Sequence, residues 1–143
     1  MNLERKIRGR ETVQMNIGLT AHNSKKTLLE NFCFAYKGIL RKHHLIATSA
    51  TGSRIEKSTG LPVEKLLPGL MGGAQQMRNM IMNHDLDMVI FFYSVDEQYR
   101  AEEDELPEIS RLCDVYNIPF ATNIATAESL IQCLGRGDFE ARY

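Results

Sequence analysis

The run Met88-Val89-Ile90-Phe91-Phe92-Tyr93 is apolar or aromatic throughout and is bounded by Asp87 and Ser94. A membrane-spanning helix needs about 20 such residues, so this run has the length of a buried strand instead. Short apolar runs alternate with segments of helical periodicity along the rest of the chain, the pattern of a parallel sheet covered on both faces. Strands are expected at Met15 to Ala21, His44 to Thr48, a weaker Leu61 to Leu67, Met88 to Tyr93 and Pro119 to Thr122. Between the first two, Leu28, Leu29, Phe32, Tyr36, Ile39 and Leu40 recur at helical spacing. A short helix from Ser53 ends at Gly60, and another carries Met77, Met80 and Ile81. Pro107 opens a helix through Leu112 and Tyr116, and the last helix falls near Ala127 to Leu134. The fold class is therefore α/β, with a mostly parallel sheet of about five strands.

At 143 residues and 43% hydrophobic content the chain has the size of one domain with one core. We place that domain at residues 15–143, after a polar arm at 1–14 that carries Arg5, Lys6, Arg8 and Arg10. The arm has no apolar segment behind its charges and does not read as a secretory signal. It is either a loosely docked terminus or a basic arm reaching a neighbouring subunit or ligand. With 17 Lys and Arg against 18 Asp and Glu, the net charge of −1 argues against nucleic acid and anionic membranes as partners. The cysteines, Cys33, Cys113 and Cys133, are odd in number and lack CxxC spacing. They fit buried thiols in a reducing cytoplasm better than a disulfide framework or a zinc site. No metal and no cofactor are expected.

Ligands of open parallel sheets sit beyond the carboxyl ends of the strands. The loops nominated by that rule are His22 to Lys26, Thr48 to Gly52, Gly69 to Ala74 and Asn123 to Thr126. They supply hydroxyls, a histidine, a lysine and glycine-flanked backbone N–H groups at helix starts, which suits a phosphate or carboxylate. Each loop taken alone is equally consistent with ordinary helix capping and chain turning.

Four blocks in order carry a family resemblance. They are Ile17-Gly18-Leu19-Thr20-Ala21-His22-Asn23-Ser24-Lys25-Lys26, Ala47-Thr48-Ser49-Ala50-Thr51-Gly52, Gly69-Leu70-Met71-Gly72-Gly73-Ala74-Gln75-Gln76, and Ala121-Thr122-Asn123-Ile124-Ala125-Thr126-Ala127. Together they resemble methylglyoxal synthase over nearly everything after Gln14. The resemblance implies a three-layer αβα domain assembled as a homohexamer, with its site near a subunit boundary. It also implies a carbon–oxygen lyase reaction, in which dihydroxyacetone phosphate loses a proton beside its carbonyl and then expels phosphate to leave methylglyoxal. Carried over by position, His22 matches a histidine that contacts substrate oxygens and Lys26 a phosphate-binding lysine. Thr48, Thr51 and Gly69 match pocket positions, and Ser49, Gly52, Gly72 and Gly73 complete the expected ligand-binding set.

The departures from the family pattern are as informative. Ser49-Ala50 stands where the family has glycine and threonine, and Pro68 where it has serine, removing a hydroxyl and a backbone donor. Ala74 stands where the family keeps the aspartate that takes the substrate proton, and Ser94 replaces a second aspartate. Loss of a positioned base costs about 10²- to 10⁴-fold in rate. Glu103 and Asp104, in the acidic run Glu102 to Glu105, are the substitute acids to consider. Two functional readings follow. One is a pseudoenzyme that holds a small phosphorylated metabolite or nucleotide. The other is an active methylglyoxal synthase with a relocated base. Arg54, Arg78, Arg100 and Arg142 are further candidate anion partners.

Overall fold

The computed structural model describes residues 14–97, 99 and 104–139. The arm before Gln14, Glu103, Arg100 and Arg142 lie outside these described residues. Five strands form one sheet: β1 (Asn16–Ala21), β2 (His44–Thr48), β3 (Val63–Leu66), β4 (Met88–Phe92) and β5 (Phe120–Ala121). Their order is β3-β2-β1-β4-β5, and every neighbouring pair runs parallel. The chain winds outward from β1 to one edge through β2 and β3, then returns to build β4 and β5 on the other side. The winding direction therefore reverses between β1 and β4, which opens a crevice at their carboxyl ends.

The helices are α1 (Lys26–Ala35), α2 (Lys37–Leu40), α3 (Ser49–Thr59), α4 (Gly73–Met82), α5 (Leu106–Val115) and α6 (Ile124–Gly135). Alternate residues of each strand feed two separate cores, as a pleated sheet requires. Ile17, Leu19, Leu45, Met88, Ile90 and Phe92 face α1, α3 and α6, where Leu29, Phe32, Ile55, Ile131 and Leu134 meet them. Ile46, Val89 and Phe91 face α4 and α5, where Met77, Ile81, Ile109 and Leu112 meet them. Helices thus cover both faces, in the three-layer arrangement.

Three boundaries differ from the sequence reading. The single helix expected from Leu28 to Leu40 breaks at Tyr36, whose backbone leaves the helical region with φ −109° and ψ 20°. Helix α3 starts at Ser49 and not at Ser53, so the expected loop Ser49 to Gly52 is its first turn, preceded by the extended Thr48. The lack of a side chain at Gly52 leaves room for β3, because a Cβ there would lie 2.7 Å from Lys65 Cγ. Helix α6 starts at Ile124 and not near Ala127, since the Asn123 side chain accepts a hydrogen bond from Thr126 N at 3.0 Å. Gly60 ends α3 in the left-handed conformation, φ 77°, as its position after the periodic segment implies.

Candidate functional site

A cavity of about 370 Å³ lies at the carboxyl ends of β1, β2 and β4, beside the N-terminus of α4. His22, Lys26, Thr48, Gly69 and Ala74, all expected site residues, line it. Ser49, Thr51, Gly52, Gly72 and Gly73 are not part of the lining.

Lys26 opens α1, on the far face of the sheet, and crosses the sheet edge to reach the cavity. Its Nζ donates to Thr51 Oγ1 at 2.9 Å and to the Ala21 carbonyl at 3.5 Å. Both acceptors are neutral, so among the described residues no carboxylate is in direct contact with the ammonium. Burial, and then the nearby Arg54 guanidinium, push its pKa below 10.5, while Glu97 opposes them. Thr51 is buried at 2% exposure and so acts as the anchor of Lys26.

His22 is buried and follows β1 directly. The backbone N–H of Ser94 donates to its Nδ1 at 3.0 Å. That bond makes Nδ1 the acceptor, so in the neutral ring the proton sits on Nε2. Among the described residues His22 Nε2 has no hydrogen-bond partner, and Asp104 Oδ1 lies 3.4 Å from it. The ring sits edge-on to Phe91 and Tyr93 and is tilted against Tyr99, with centroids 4.3 Å apart.

The segment from Ser94 is tied down over this corner. Glu97 accepts from Ser24 N and Ser24 Oγ at 3.1 and 2.8 Å, and these bonds hold its carboxyl below the usual range. The Asn23 N–H donates to the Tyr99 hydroxyl at 3.1 Å, and burial is the main cause of that hydroxyl's raised pKa.

The opposite wall is built by the turn from Pro68 and by α4 and α5. Gly72 has φ 114°, and a Cβ on Gly73 would lie 2.0 Å from the Leu67 carbonyl oxygen. Only glycine fits either place, so the two glycines shape the turn. The Gly73 N–H donates to the Pro68 carbonyl at 3.0 Å. Ala74 follows, with 9% exposure, and places a methyl group in the cavity wall. The first turn of α4 contains no acidic residue. Glu105 also lines the cavity, but its carboxylate is paired with Arg78. Asp104 accepts from Leu106 N at 3.1 Å, so one of its oxygens is engaged at the start of α5.

Two expected anion partners are committed elsewhere. Arg54 pairs with Glu30 at 2.8 Å, and Arg78 pairs with Glu105. The buried thiols Cys33 and Cys113 are each pushed up to about 12, chiefly by desolvation, and stay out of the site. Among the described residues, no group of three or more His, Cys, Asp or Glu side chains is placed to hold a metal. No helix among them is long and apolar enough to cross a membrane. The sequence reading missed Tyr99, Phe91 and Ile109 as lining residues. For Phe91 a signal existed, because alternation along β4 puts it on the face opposite Ile90 and Phe92.

Fold and cavity define a doubly wound αβα domain with its candidate site at the reversal of strand order. A family model described as the MGS-like domain matches residues 30–122. The chain is 50% identical over 128 residues to the methylglyoxal synthase of Caldicellulosiruptor saccharolyticus, covering 90% of each. It is 46% identical over 128 residues to that of Bacillus cereus, covering 90% of this chain and 97% of the relative. The crystal structure of methylglyoxal synthase from Elizabethkingia anophelis superimposes with a TM-score of 0.77 at 37% identity, over 82% of this chain and 77% of that one. The chain therefore belongs to the methylglyoxal synthase-like family.

Proposed function

We propose that this chain binds a small phosphorylated ligand through Lys26 and its hydroxyl neighbours and turns it over weakly or not at all. The observation that carries the reading is the contrast at one cavity. A lysine held by Thr51 faces it from one side, and the Ala74 methyl occupies the start of α4 on the other. Converting dihydroxyacetone phosphate to methylglyoxal, the reaction that the family resemblance implies, requires a base for a C–H proton beside the carbonyl. Ala74 accepts no proton. His22 serves as a neutral Nε2–H donor toward a ligand oxygen, because its Nδ1 is already an acceptor. A helix N-terminus without a carboxylate also favours an anion more than one that carries it.

The second reading, an active methylglyoxal synthase with a relocated base, draws on Asp104, whose Oδ1 lies 3.4 Å from His22 Nε2. Purified protein incubated with dihydroxyacetone phosphate separates the two when methylglyoxal and phosphate release are followed. Turnover at an ordinary enzymatic rate that disappears in Asp104→Asn supports the relocated base and overturns the binding reading. Negligible turnover that rises in Ala74→Asp supports a disarmed pocket. We further propose a cytoplasmic homohexamer, which light scattering on the purified chain checks.

A further inference from the structure

The cavity is chemically two-sided, and its two sides come from different layers of the fold. Lys26 and Thr48 stand at the sheet edge with His22, while Ala74, Met77, Ile109 and Leu70 face them from α4, α5 and the preceding turn. Met77 and Ile109 belong to the second core, so the apolar wall is an extension of packed interior. Among the described residues, the acid that lines the cavity there is Glu105, and it is paired with Arg78. At about 370 Å³ the space falls within the roughly 300–1,000 Å³ of sites that hold drug-sized ligands, more than a triose phosphate fills. A hydroxylated chain laid along this wall would leave its hydroxyls without partners, at a desolvation cost.

From this two-sidedness we infer that the ligand is a phosphate monoester whose organic part is apolar and short. It would place its phosphate at Lys26 and its tail between Ala74, Met77, Ile109 and Leu70. The inference rests on the phosphate-binding reading above and adds the class of the organic group. It accounts for Leu70, which is 77% exposed yet lines the cavity mouth, where a tail would cover it.

Calorimetric titration of the full chain with inorganic phosphate and with methyl, butyl, hexyl and phenyl phosphate tests it. Affinity should climb about fourfold for each methylene buried, equivalent to ~0.8 kcal/mol, until the cavity is full. Leu70→Ser, a change at an exposed position, should reduce the gain from methyl to hexyl phosphate severalfold. Inorganic phosphate that binds in a Lys26-dependent way, with no rise along the alkyl series, overturns the apolar subsite and leaves the phosphate reading standing. No binding by any of the five overturns both.

Discussion

The two walls of the cavity differ in what holds them. On the sheet-edge side the polar groups are engaged with one another: Lys26 with Thr51 and Ala21, His22 with Ser94, Asn23 with Tyr99. On the α4 side the wall is held by packing, with Ala74 and Met77 both buried and the turn fixed by close backbone contact at Gly73. Hydrogen-bonded geometry survives the loss of a neighbour only if its partners are kept, whereas a packed wall accepts a change from polar to apolar with little disturbance. Under the proposed function, ligand capture falls to the sheet-edge wall and the missing base to the α4 wall, so the two tasks can be tested on separate elements.

Four tests act on that contrast. The largest effect is expected from Ala74→Asp, which places a carboxylate on the packed wall. Turnover of dihydroxyacetone phosphate should rise by about 10²- to 10⁴-fold over the parent chain, the usual contribution of a positioned base. An unchanged rate in a folded variant would mean that the edge wall has lost its competence too. Next is Gly73→Ala, whose Cβ would lie 2.0 Å from the Leu67 oxygen. Denaturant unfolding should show a loss of about 3 kcal/mol, the upper end of ordinary overpacking, and phosphate affinity should fall as the turn shifts.

Lys26→Met should weaken phosphate binding by about ten- to a hundredfold, the worth of hydrogen bonds to a charged group, without the stability loss of the glycine variant. Equal affinity in parent and variant would move the anion site away from this wall. The smallest effect is on pH. Because burial lowers the Lys26 pKa below 10.5, phosphate affinity should begin to fall with rising pH before an ordinary lysine would deprotonate. Stability carries the opposite sign. Between the lowered folded value and 10.5 the unfolded chain holds a proton that the folded chain has shed, so folding is favoured as pH rises through that window. Calorimetry and thermal melts across the same alkaline range read the two trends together.

Much of this was legible in the sequence. Strand identity followed from apolar runs such as Met88 to Phe92, and the position of the cavity from the carboxyl-edge rule applied to His22, Lys26, Thr48 and Gly69. Those signals are local or topological. Less legible were features that depend on how a loop folds back. Nothing in an acidic stretch announces that Tyr99 will pack against His22, or that Glu97 will accept two bonds from Ser24. The small polar residues of Ser49 to Gly52 favour a turn by local chemistry. Tertiary packing of Thr51 and Gly52 against Lys26 and Lys65 extends the helix through them instead. Asn123 and Thr126 proved to cap α6, the ordinary alternative to ligand binding for that loop.

The division of the interior into two separate cores has a consequence for how occupancy would be felt. The cavity receives Lys26 from the layer packed against α3 and Met77 from the layer of α4 and α5. A molecule seated there would clasp both layers at the edge where the sheet holds them apart. Amide protons of α1 and of α4, which share no core, would then slow their exchange with solvent together.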